Sequence, residues 1–187
     1  MATQQAPHLF TVDEYYLMAG AGILSEDDRV ELIEGEIIDM AAIGIKHALC
    51  VDRLTLLLIR LLGEEVMVRA QNPIYLDKYS EPQPDLALLK QQDYSRRKHH
   101  PGPGDVLLVI EVSDTTLTFD RKVKVPLYAR ASIPEVWIVN LQEDSIEVYS
   151  QPNGGAYQEH QQLQRGQSLS IPGFSDLTLA VDDVLGR

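Results

Sequence analysis

Three side chains far apart in the chain, Asp85, Glu111 and Lys124, carry the first chemical signal. Glu111 is the only charged residue in Val106–Val112 (VLLVIEV). A nearly continuous apolar run of this length, ahead of Ser113-Asp114-Thr115-Thr116, predicts a buried central strand. An ionised carboxylate in such a strand must neutralise, find a partner or hold a cation. Asp85, after Pro84, opens a second strand-like run, DLALL, and shares a face with Ala87 and Leu89. A helix predicted over Asp120–Ser132 carries Lys122 and Lys124. Two acids on neighbouring strands with an amine on the following helix describe a site that binds a metal ion beside a lysine. Two residues apart on a helix, the lysines point in roughly opposite directions, so one of them enters it.

The elements that must position these groups form a strand–helix–strand unit. Val106–Val112, the helix and Glu135–Leu141 imply parallel pairing and a right-handed crossover. Pro126 conflicts with a regular helix there, because proline disrupts a helix interior. The regular part therefore starts between Lys122 and Val125, or the helix kinks. Upstream, Thr11 and Glu14 match a capping box that opens a first helix. Val30–Met40 reads as a hairpin around Glu34-Gly35-Glu36, with Glu31 among apolar neighbours in its first arm. In Ile45–Leu62, Ile45, Leu49, Leu56 and Ile59 fall near helical spacing, and Leu54, Leu57, Leu58, Leu61 and Leu62 widen the stripe. This predicts the main core helix, ended by Gly63. His47 and Cys50 lie three apart on it. Two such ligands are too few for a structural zinc site, so His47 is read as local packing or a contact at the helix start. Glu65–Ala70 is a strand that Pro73–Leu76 continues after a break. Beyond Leu141 the alternation of Ser145–Ser150 and Tyr157–Leu163 around Pro152–Gly155 predicts a hairpin, followed by short β pieces at Gln167–Ile171 and Asp176–Ala180.

A chain of 187 residues fits one domain, with a core over about 9–185. Its net charge of −12 argues against broad electrostatic binding of nucleic acid, although bound cations can reverse the sign inside one cleft. The concentrated basic segment, Arg96–His100, lies in a loop and reads as solvated, with contact to phosphate groups as the alternative. No apolar run approaches the roughly 18 residues of a membrane span. The opening MATQQAPHLF lacks the basic and apolar parts of a signal peptide. With a single cysteine, Cys50, the expected location is cytoplasmic, with no membrane partner.

The order VELIEGE, IKHALC, QPDLALL, LLVIEVSDTT and FDRKVKVPLYARASIPEVWIVNL resembles the Uma-two family, a branch of the restriction-endonuclease-like PD-(D/E)xK superfamily. The likeness spans about residues 9–185. It implies an α/β (α+β) fold with a mixed β-sheet flanked by helices and extended by C-terminal β-hairpins. Pro84-Asp85 matches the PD element and Glu111 the acidic residue of (D/E)xK. The superfamily lysine two positions on is Ser113 here, a departure that the Uma-two family shares. The resemblance points to Lys124 in its place, with Lys122 as the second candidate. Glu31 matches the acid of the family's hairpin and is the fourth expected member. The implied activity is cleavage of DNA phosphodiester bonds with Mg²⁺ or Mn²⁺, held by Asp85, Glu111 and Glu31. Gln71 and Ser113 are expected to tune the site by hydrogen bonding. Cutting two strands favours paired sites, hence an expected homodimer.

Overall fold

A computed structural model describes residues 6–25 and 27–186. The first five residues, on which the leader expectation partly rests, lie outside these. The fold is the expected mixed sheet with few helices and C-terminal antiparallel hairpins. Its elements are α1 (Val12–Gly20), the hairpin β1 (Val30–Ile33) and β2 (Glu36–Asp39), α2 (Ile45–Leu62), β3 (Val66–Ala70), β4 (Leu86–Lys90) and β5 (Val106–Ser113). A helical segment follows: α3 (Leu117–Phe119), a π turn (Asp120–Lys124) and α4 (Val125–Arg130). The chain closes with β6 (Glu135–Asn140), β7 (Ser145–Asn153), β8 (Ala156–Gln164), β9 (Ser168–Ile171), β10 (Phe174–Ala180) and α5 (Val181–Leu185). Pro73–Leu76, expected as strand, is irregular: Ile74 and Leu76 donate instead to the backbone oxygens of Pro82 and Ser80.

The central sheet has the order β3-β4-β5-β6-β7-β8. Every pair is antiparallel except β5–β6, which the helical crossover makes parallel. Buried on both sides, β5 and β6 need apolar side chains at successive positions, which explains their unbroken apolar runs. Leu108, Ile110 and Val112 face a core made with α2, α5, β9 and β10. Val109 and Ile138 face a second core with Ile33, Ile74 and Tyr128. Alternation therefore puts Glu111, the register partner of Ile138, on the side of the β1–β2 hairpin and α4.

That hairpin turns through Glu34 (φ 51°) and Gly35 (φ 82°), both left-handed, as a two-residue primed turn requires. A Cβ on Gly35 would lie 2.6 Å from that of Leu9, so glycine also admits the incoming chain. The backbone of Glu81 donates to Leu32 O (2.8 Å), which pins β1 beside the lead-in to β4.

The π turn resolves the conflict at Pro126. Val125 N–H bonds to Asp120 O, five residues back, and Pro126 then falls in the first turn of α4, where its missing N–H costs little. Arg121 fastens this turn to the sheet. Its Nε and Nη2 donate to the carboxylate of Glu147 on β7, the shortest contact being 2.6 Å. Tyr149 donates to the same carboxylate. Burial opposes the charge on Glu147, yet these donors hold its carboxyl below the usual range. Arg121→Ala is therefore expected to cost about 1–3 kcal/mol in urea denaturation at pH 7. That is less than a fully buried pair, because the guanidinium is partly solvent-screened. An unchanged midpoint would show that the clasp contributes nothing.

Helix α2 is corrected in one respect. Cys50, Val51, Leu54, Leu58 and Leu62 form its buried stripe. Ile45, Leu49, Leu56 and Ile59, expected in the core, lie on the opposite, exposed side.

Candidate active site

A cavity of about 540 Å³ opens where the sheet, the β1–β2 hairpin, the start of α2 and the π turn meet. Glu31, Asp85, Glu111 and Lys124 all line it. Lys124 is buried in its wall between two of the acids. The Nζ stands 3.2 Å from Glu31 Oε2 and 3.3 Å from Glu111 Oε1, and all three residues are buried. Lys122 is exposed on the far side of the turn.

Each acid is held from behind. Glu31 Oε2 also accepts the backbone N–H of Gln83 (3.0 Å). Glu111 Oε1 accepts the hydroxyl of Tyr128 on α4 (2.6 Å). Asp85, at the entry to β4, accepts the N–H of Val112 on Oδ2 (2.8 Å). Its Oδ1 meets Nε2 of His47, 3.0 Å away in the first turn of α2. Ser113 touches the site indirectly: its hydroxyl donates to Oδ2 of Asp120 (2.6 Å), which also accepts from Thr116. Gln71 contributes backbone groups only: its N–H bonds to Asp85 O and its carbonyl accepts the side chain of Gln83.

His47 and Asp120 complete the wall and were not assigned to the site from sequence. The His47–Asp85 contact joins a helix start to a strand entry, which no local spacing encodes. Asp120 carried a weak signal as the first residue of the DRKVK stretch on the predicted helix.

The electrostatics are those of crowded acids around one amine. Burial pushes the Glu111 carboxyl up, to about 8. Lys124 pulls it down, while Asp120, Asp85 and Glu31 add to the rise. Burial alone would lower Lys124. Glu111, Glu31, Asp120 and Asp85 together outweigh it and hold the ammonium above its ordinary range. Burial likewise raises Asp120 against the hydroxyls of Ser113 and Thr116. The hydrogen bond to Asp85 raises His47.

Two features bear on whether a cation fits. Six carboxylates, of Glu31, Asp39, Asp85, Glu111, Asp114 and Asp120, line the cavity against the permanent positive charges of Arg29 and Lys124. Nδ1 of His47 is buried with no hydrogen-bond partner. Hard oxygen donors in charge excess suit Mg²⁺ or Mn²⁺. In the conformation described, Glu31 and Glu111 are turned onto Lys124. Among the described residues no three acids, histidines or cysteines stand grouped as a ready-made metal site. The donor chemistry therefore fits a cation, and binding one requires the carboxylates to divide between it and Lys124.

Comparisons with known proteins bear on the same residues. A family model, Uma2, described as "Putative restriction endonuclease", matches residues 12–182. No curated protein matches the chain. Among solved structures it is similar to a crystal structure described as "a putative nuclease belonging to DUF820" from Anabaena variabilis. The TM-score is 0.71 at 16% identity, over 94% of this chain and 97% of that one. At that identity the likeness is one of fold. Among the described residues no helix is long and apolar enough to cross a membrane.

Proposed function

Because the chain belongs to the Uma2 family of restriction-endonuclease-like proteins, we propose that it is an endonuclease hydrolysing DNA phosphodiester bonds with Mg²⁺ or Mn²⁺. The observation that carries this reading is the meeting of Glu31, Asp85, Glu111 and Lys124, from four separate segments, in one acidic cavity. Asp85, Glu111 and Glu31 would hold the ion. When bound, it lowers the pKa of an attacking water and neutralises charge on the phosphoryl group.

The chain's own groups have distinct tasks. Lys124, beside Glu31 and Glu111, supplies a positive charge for the phosphoryl oxygens and a donor that orients the attacking water. The N–H of Val112 and Nε2 of His47 fix both oxygens of Asp85. Tyr128 orients Glu111 from the helix side. With so many acids on its wall, the empty-handed cavity repels a polyanion, so nucleic acid enters only together with cations.

The test is nicking of supercoiled plasmid with Mg²⁺, with Mn²⁺ and with chelator. Metal-dependent cleavage is expected, falling by at least about 100-fold in Asp85→Asn. Cleavage that persists unchanged in both Asp85→Asn and Lys124→Ala would overturn the reading. The inward turn of Glu31 and Glu111 onto Lys124 favours a second possibility, a nuclease scaffold that binds or regulates with little turnover. A flat calorimetric titration with Mn²⁺ would select it.

A further inference from the structure

Helix α2 is apolar on two opposite sides, and the sheet covers only one. On the other, Ile45, Leu49, Leu56 and Ile59 are 81%, 55%, 55% and 48% exposed, and Ile43 just ahead of the helix is 42% exposed. Together they equal nearly three fully exposed aliphatic side chains. That is roughly 500 Å² of apolar surface, at the upper end for a monomer and more than half of what each partner gives a standard interface of ~800 Å² per side. A contiguous apolar face of this size that the chain itself leaves open marks an interaction surface.

The spacing of the ridge identifies what covers it. The steps from Ile45 to Leu49, Leu56 and Ile59 read almost the same in either direction. Laid antiparallel on a second α2, Ile45 meets Ile59 and Leu49 meets Leu56, each contact occurring twice, as a two-fold interface demands. The midpoint falls between Asp52 and Arg53, so the exposed Asp52 of one copy approaches Arg53 of the other, whose guanidinium is already held by Val184 O. Charge agrees. At net −12 two copies repel each other over most of their surface, whereas α2 carries Lys46, Arg53 and Arg60 against Asp52 alone.

We propose that the outer face of α2 is a dimerisation surface on which a second copy of this chain packs antiparallel. Its N-terminal end is continuous with the cavity rim, since Ile43, exposed just ahead of the helix, also lines the cavity. The surface is independent of the nuclease reading, because it needs neither metal nor substrate.

Sedimentation equilibrium of the full chain over a range of concentrations is expected to give a dimer. The variant carrying both Leu49→Lys and Leu56→Lys is expected to sediment as a monomer with an unaltered circular dichroism spectrum, because both side chains are exposed in the single chain. A cysteine pair fixes the direction of packing. Ile45→Cys together with Ile59→Cys is expected to form an intermolecular disulfide on mild oxidation, and Ile45→Cys alone is not. A wild-type monomer at all concentrations, a dimer that survives both lysines, or cross-linking through Ile45→Cys alone would each overturn the proposal. Loss of cleavage with the dimer intact would count against the nuclease reading only.

Discussion

Lys124→Met is expected to cut metal-dependent cleavage by about 10²–10³-fold, the loss that follows removal of one donor from a charged transition state. It is also expected to cost about 3–5 kcal/mol of stability at pH 8, because Glu31 and Glu111 would remain buried without their shared cation. The two losses separate with pH. Unpaired buried acids have folded-state pKa values raised above their unfolded ones, so their penalty is absent below the unfolded values and grows as pH rises. Urea midpoints of the metal-free variant and wild type should therefore lie closer at pH 5 than at pH 8. Equal gaps at both would mean that the acids do not depend on Lys124 for their charge. Activity should not return at pH 5, since the amine itself is gone.

Glu111→Gln is expected to do the reverse to stability while abolishing cleavage. Burial raises Glu111 from its ordinary 4.5 to about 8 against the pull of Lys124, and its three acidic neighbours add to the rise. A group raised in the folded state contributes stability that is fully present below about pH 4.5 and lost as pH climbs toward 8. Glutamine does not titrate, and its carbonyl still accepts the Tyr128 hydroxyl. Without metal, the variant should therefore gain on wild type across that window and at least match it at pH 8. Mn²⁺ should raise the melting temperature of wild type by mass action and leave the variant unmoved. A variant clearly less stable than wild type at pH 8 in chelator would contradict the view of Glu111 as an acid kept at a cost for its function.

These expectations rest on residues whose legibility differed for physical reasons. Glu111 stood out because a lone charge in VLLVIEV has no bland explanation, and the parallel β5–β6 pair followed from the apolar runs around it. The hairpin holding Glu31 was legible in its turn residues. The choice between Lys122 and Lys124 was not open to periodicity, since Pro126 leaves the winding of the helix undetermined. Helix α2 misled for a different reason. Its apolar residues occupy two faces, and spacing does not say which of them the sheet will cover. His47 and Tyr128 were out of reach because their partners, Asp85 and Glu111, come from other elements. Their meeting depends on how the layers stack, which is a property of the whole fold.

The widened turn at Asp120–Lys124 has a geometric consequence for the wall it builds. In an unbroken α-helix a side chain eight places further on has rotated by about 80°. Asp120 and Tyr128 would diverge by that angle, and Lys124 would sit between them. One surplus residue in the coil takes up most of this drift, so carboxylate, ammonium and phenol form a single column over the sheet. One extra residue in a single turn, with proline opening the regular spiral behind it, is enough to turn an ordinary crossover into a surface with three aligned functional groups.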